Sequence, residues 1–211
     1  WKERNRVVAR GRKNEFGSSW WAQKWNNALE SYGWSNRLQR VRSYARSGHV
    51  LDVNLKPGLV EALVEGTRPR PYSVKIKIDI LSALEWETVI EKMAQKAIFS
   101  AKLLAGEMPE NIEEAFALAG VRLFPENARR IHTSCSCPDY ANPCKHIAAV
   151  YYILGQEFDR DPFMIFRLRG MDKDDLMNRL RKARGEDRNI NGNQEPVEQM
   201  PKRPEELVEE I

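Results

Sequence analysis

From Leu51 onward the chain alternates apolar and polar residues. Leu51, Val53 and Leu55 are separated by polar neighbours, Lys56, Pro57 and Gly58 supply a turn, and residues 59–65 run back. After the loop GTRPRP, the residues Tyr72, Val74, Ile76, Ile78 and Ile80 alternate with Ser73, Lys75, Lys77 and Asp79. A period of two belongs to a strand with one buried face, so the pattern predicts a three-stranded antiparallel meander with a wet outer side.

On either side the period is helical. Ser18 or Ser19 can cap a helix in which Trp21, Trp25 and Leu29 share one face, with Gly33 as its stop. That spacing assigns the tryptophans to a core rather than to a base-stacking platform. Ser82 and Glu85 form a capping box ahead of Trp86, Val89, Ile90, Met93, Ala97 and Ala101, which predicts one helix running towards Gly106. Residues 108–120 read as a shorter helix, residues 121–125 as a short strand and residues 129–137 as extended. From Cys144 the stripe Ile147, Val150, Tyr151 and Leu154 is helical and closed by Gly155, and two further helices follow, the last capped by Asp172. The fold class is therefore α+β: an antiparallel meander with several packed helices and a small strand–turn–helix unit. The organisation reads as a basic arm at 1–17, a body at 18–130, the small unit at 131–155, a helical part at 156–184 packed on the body, and a polar tail at 185–211 whose composition predicts disorder.

Charge adds a possible class of partner. The net charge of +4 divides into an acidic tail (eight acids and three bases from residue 185) and a basic remainder of +9. A basic body suits a polyanion, and the tail would compete for the same surface. No apolar run approaches the roughly 18–20 residues of a membrane span, and no signal peptide is visible. Three cysteines, two of them one residue apart, do not make a disulfide framework; reduced thiols in a cytosol fit them better.

All three cysteines fall within CSCPDYANPCKH, residues 135–146, as Cys135-x-Cys137 and Cys144-x-His146. Residues two apart on a strand point the same way, so Cys135 and Cys137 present both thiols on one face. Pro138 and Asp139 turn the chain, and Cys144 and His146 fall in the first turn of the next helix, where free N–H groups favour thiolate. Three sulfurs and one imidazole complete a zinc tetrahedron, which predicts one structural Zn2+ per chain held by Cys135, Cys137, Cys144 and His146. His132 and His49 are weaker candidates. A catalytic zinc usually keeps an open position, and Asp139 sits at a turn, where capping is the commoner role.

The stretch CSCPDYANPCKHIAAVYYIL resembles the SWIM zinc finger, whose pattern is Cys-x-Cys, a variable gap, then Cys-x-His. Outside it, GSSWWAQKW, RVRSYARSGHVLDV, GTRPRPYSVKIKI, LLAGEMP and LGQEFDRDPFMIF resemble prokaryotic SWIM zinc finger proteins, so that the likeness covers about residues 17–182. The resemblance implies a non-enzymatic accessory of a SWI/SNF-type helicase-like ATPase, at work in a prokaryotic cytosol or nucleoid. It also implies that the finger contacts DNA or protein.

Two functions follow as expectations. In the first, Arg37, Arg40, Arg42, Arg46, Arg68, Arg70, Lys75 and Lys77 meet phosphates without reading sequence. In the second, the chain is a protein-interaction adaptor in a transcription or DNA-repair complex and never touches nucleic acid. Its docking face would be the helices at 161–184 bearing Phe163, Phe166, Leu176 and Leu180, although burial in the core is the more natural reading of those residues. An ATPase partner would instead contact the finger rim of Asp139, Tyr140, Asn142 and Lys145. Tyr140 either anchors in a partner pocket or packs over the zinc thiolates. No phosphate loop, paired carboxylate motif or activated nucleophile points to an enzyme.

Overall fold

Tyr72, Val74, Ile76 and Ile78 all face inward from β4 (Tyr72–Ile78), while Ser73, Lys75 and Lys77 face solvent. The computed structural model that shows this describes residues 6–7, 17–30, 41, 44–45, 47–125 and 130–185. The alternation builds an antiparallel sheet in which β1 (Arg6–Val7), β2 (Val50–Lys56), β3 (Leu59–Val64), β4 and β5 (Ile131–Cys135) lie in chain order. The meander is therefore present, extended by a strand on each edge. Arg6–Val7, within the stretch read as an arm, pairs with Asn54 and Val53. At the β2–β3 turn Gly58 has a positive φ of 67° and its N–H donates to Leu168 O (2.9 Å), a conformation and a closeness that suit glycine.

One face of the sheet is covered by α5 (Lys145–Arg160), whose buried side includes Ile147, Val150, Tyr151 and Leu154. Behind it lies α1 (Trp20–Glu30). Trp25 stacks on Tyr151 with ring centres 4.2 Å apart and donates its indole N–H to Tyr151 O (3.0 Å). At the start of α1 the Ser19 hydroxyl accepts from Ala22 N, and Asp159 near the end of α5 accepts from the backbone of Ser18 and Ser19. A second layer of aromatic packing joins α2 (Ala83–Ala94), α3 (Ala97–Leu104), α4 (Ile112–Leu118), α6 (Phe163–Leu168) and α7 (Lys173–Ala183). Trp86 lies edge-on to Phe116 and Phe166 and donates to Arg169 O (3.1 Å). Buried aromatics of this size cost about 3–5 kcal/mol each when cut to alanine.

Several expectations change. The predicted helix over 82–106 is two helices, because Lys96 is extended (φ −112°, ψ 105°). The break turns the larger Phe99 and Leu103 into the core and leaves Ala97 outside. The capping box of α2 is present. Residues 121–125 form no strand; Leu123 and Phe124 are buried within an irregular segment. The register of β2 shifts between Val50 and Asp52, so that Val50, not Leu51, joins Val53 and Leu55 in the core. β4 stops at Ile78 and leaves Ile80 exposed. Gly155 does not end a helix: α5 runs through it to Arg160. Asp172 stands at the N-cap of α7 but pairs with Arg167 Nε at 3.1 Å and makes no side-chain cap bond. Phe163, Phe166, Leu176 and Leu180 are core residues, which removes them as a docking face. Gly33 and the tail beyond residue 185 lie outside the described residues. Among the described residues no helix is long and apolar enough to cross a membrane.

Candidate metal centre

The thiols of Cys135 and Cys137 share a side because the chain stays paired with β4 through Ser136. Ser136 N donates to Ser73 O (3.0 Å), and Ser73 N donates to Ser136 Oγ (2.9 Å). Past Cys137 the loop is fixed by its own polar side chains. Asp139 Oδ1 accepts from Ala141 N (3.0 Å), the turn role its position suggested. Asn142 Nδ2 donates to Thr133 O (3.2 Å) and Asn142 Oδ1 accepts from the Thr133 hydroxyl, which ties the loop to β5 on the side away from β4. The Asn142–Pro143 peptide is cis, and Cys144 is the extended N-cap of α5.

The ligand atoms of Cys135, Cys137, Cys144 and His146 lie within 4.8 Å of one another. His146 Nδ1 is 3.8 Å from Cys135 Sγ and 3.7 Å from Cys144 Sγ. A zinc tetrahedron with ordinary bond lengths has an S···N edge of about 3.6 Å and an S···S edge of about 3.8 Å. The cluster therefore fits Zn2+, with Nδ1 as the histidine ligand. Its electrostatics agree with this. Cys144 is lowered to about 4, first by the hydrogen bond from the Cys135 thiol and also by His146 and the Ile147 N–H, against its burial. Cys135 is pushed up by that same bond and then by burial, and Cys137 first by burial. Crowding among the three sulfurs opposes placing several negative charges there together; a dication in their midst would stabilise all three as thiolates.

Residues remote in sequence enclose the imidazole. Tyr72 lies 4.7 Å from it and Tyr44 5.8 Å, centre to centre. Tyr44 stacks on His49 (4.2 Å) and donates to Glu65 O, and Lys145 Nζ sits 4.8 Å over the Tyr44 ring. Gly66 packs so tightly that a methyl there would lie 2.2 Å from Tyr72 Cε2 and 3.3 Å from His146 Nε2. The sequence offers no sign of Tyr44 or Gly66 here, which fit no metal pattern, and it singles out His49 only as a weaker ligand candidate. His49 supports the site without entering the ligand set, and His132 points to the outer face opposite Lys77.

Of the residues expected to meet phosphate, Arg37, Arg40, Arg42 and Arg46 lie outside the described residues. Arg68 and Arg70 are exposed on the β3–β4 loop, which begins beside Gly66. Lys75 and Lys77 are exposed on the outer face of β4, where Lys75 pairs with Glu61 at 3.2 Å and Lys56 joins the same carboxylate at 2.8 Å. Of the finger rim, Asp139 is held in its turn, Asn142 is clamped to Thr133 and Lys145 lies on Tyr44. Tyr140 is 101% exposed, so it does not pack over the thiolates.

The SWIM zinc finger family matches residues 126–155, and its four ligands are positioned to bind one zinc ion. The chain is also 46% identical over 180 residues to "Uncharacterized protein Rv2102" of Mycobacterium tuberculosis (strain ATCC 25618 / H37Rv). That alignment covers 85% of this chain and 65% of the relative's length. No solved structure matches the chain.

Proposed function

We propose that this protein is a non-enzymatic zinc-binding accessory of a SWI/SNF-type helicase-like ATPase, and that its zinc end holds nucleic acid without reading sequence. The observation that carries this reading is the packing of Gly66 on Tyr72 and His146. Through it the loop bearing Arg68 and Arg70 is braced by a zinc ligand, so the metal stiffens a basic surface rather than activating a water. Four protein donors fill the tetrahedron, which suits a structural ion. Three reduced thiols suit a cytosol or nucleoid, and the motor activity would come from the partner.

A second reading, an adaptor in a transcription or DNA-repair complex with no nucleic-acid contact, is favoured by the engagement of Lys75 with Glu61. Titration of a generic labelled duplex and a single strand, over a range of salt, with zinc-loaded and chelator-stripped protein, separates the two. The accessory reading expects binding that falls steeply with salt, weakens on zinc removal, and loses salt dependence in Arg68→Glu/Arg70→Glu. No association with either nucleic acid at low salt leaves only the adaptor. The ATPase partnership is tested by crosslinking in cells; a stable partner without a helicase-like motor refutes it.

A further inference from the structure

The geometry points to single-stranded nucleic acid as the ligand of the zinc end, with Tyr140 stacking on an unpaired base and Arg68 and Arg70 meeting the adjoining phosphates. This rests on the nucleic-acid reading above and narrows it to a class of ligand.

The topology brings the parts together. β4 begins at Tyr72 and β5 ends at Cys135, and the two strands are antiparallel. The arginine loop and the finger loop therefore leave the sheet at the same end, with their roots joined by the two bonds between Ser73 and Ser136. Arg70 lies three residues before Ser73 and Tyr140 four after Ser136. At about 3.3–3.6 Å per residue, both side chains lie within reach of one short oligonucleotide.

Tyr140 has the exposure that stacking needs. The other aromatic rings beside the zinc are engaged: Tyr72 is buried, and Tyr44 is stacked on His49 and covered by Lys145. Tyr140 alone among these rings offers both faces to solvent. Its backbone is held by the Asp139 turn, by the Asn142–Thr133 clamp and by cysteine ligands on both sides, so binding a base would order little beyond the ring itself. A fully exposed aromatic on a fixed loop that leaves the sheet at the same end as two exposed arginines fits a polyanion that also carries flat apolar faces. Nucleic acid has both, and only unpaired bases leave those faces open, because in a duplex they are stacked on one another.

The track continues along the sheet. Lys75 and Lys77 occupy alternate outward positions on β4, about 7 Å apart, and His132 lies across from Lys77 on β5. Glu61 already engages Lys75 on this face, so Lys77 is the position that can carry the strand onward through a phosphate, the mode in which a charged groove is combined with aromatic stacking.

The test uses the full zinc-loaded chain and fluorescence anisotropy with two labelled probes. One is an oligothymidine of about 20 nucleotides, longer than the roughly 4–16 nucleotides such sites cover; the other is a duplex of equal length. The expected result is tighter binding of the single strand. Tyr140→Ala should weaken it by about 5- to 100-fold and leave the duplex unchanged, and Tyr140→Phe, which keeps the ring, should retain the affinity. Zinc content confirms that each variant keeps its site. Equal affinity for both probes, untouched by Tyr140→Ala yet reduced for both by Arg68→Glu/Arg70→Glu, overturns the stacking inference and leaves the nucleic-acid reading intact. Failure of both probes to bind at low salt overturns both readings. Loss of an ATPase partner in Tyr140→Ala with single-strand affinity unchanged assigns the ring to protein docking and overturns the inference.

Discussion

Gly66 and His146, eighty residues apart in sequence, meet at the zinc site: a methyl on Gly66 would lie 3.3 Å from the imidazole Nε2 and 2.2 Å from the ring of Tyr72. Tyr72 is 4% exposed and has little room to yield. Gly66→Ala should therefore cost about 1–3 kcal/mol through overpacking. It should also speed zinc loss to a chelator, because the displaced ring bears on a ligand. Denaturant unfolding and a chelator competition check both effects, and an unchanged midpoint with unchanged zinc retention would contradict this packing.

Gly155 poses a contest between two effects inside α5. Alanine is the better helix former by about 1 kcal/mol. Its methyl, however, would sit 2.7 Å from Asn26 Oδ1 and 3.0 Å from Asn26 Nδ2, on a buried side chain of α1. The clash should win, leaving Gly155→Ala less stable by about 1–3 kcal/mol. In a double-mutant cycle Asn26→Ala should recover part of that loss; strict additivity would show that the two positions do not collide.

Removing a ligand should empty the site. Elemental analysis is expected to find about one zinc per native chain and close to none in Cys144→Ser or His146→Ala. Because the site lies at one end of a continuous core, amide exchange should rise first in residues 131–155, while β2, β3 and α2 stay protected. Full zinc occupancy in Cys135→Ser/Cys137→Ser is the result that would sink the ligand assignment.

Acid should act on the capping box of α2. The Ser82 backbone N–H, and after it the Ser82 hydroxyl, hold the Glu85 carboxyl below the ordinary carboxylate range. A group depressed in the folded state contributes stability above its unfolded value, about 4.3 for glutamate, and loses it as pH falls through the folded one. Glu85→Ala should thus be less stable than the native chain by about 0.3–1 kcal/mol at pH 7. Thermal scans should show the gap shrinking on acidification. A gap independent of pH would place the effect in packing.

The chemistry of the site was legible because it is local. Four ligands within twelve residues, a turn and a helix start specify the zinc centre through spacing alone, and the alternation from Tyr72 to Ile78 specifies β4 in the same way. The misreadings share a cause. Leu51 keeps the period of two, yet the register shift in β2 puts Val50 inside. Ala97 and Ala101 keep the period of α2, but small side chains hold a face weakly against Phe99. Gly155 looks like a stop, and is instead where another helix needs the room. Gly66, Tyr44 and His49 come to the imidazole only through sheet pairing and packing, which no local period encodes.

The stacking of Trp25 on Tyr151 also sets a schedule for the ribosome. These partners are 126 residues apart, and at about 5–20 residues per second α1 leaves the exit tunnel roughly 6–25 s before the helix that shelters it. Throughout that interval two tryptophans, Trp21 and Trp25, have no α5 to cover them. The nascent chain is thus a substrate for holding chaperones until residues past 151 emerge, and a truncation before Cys144 would lose the cover for its amino-terminal helix along with the metal.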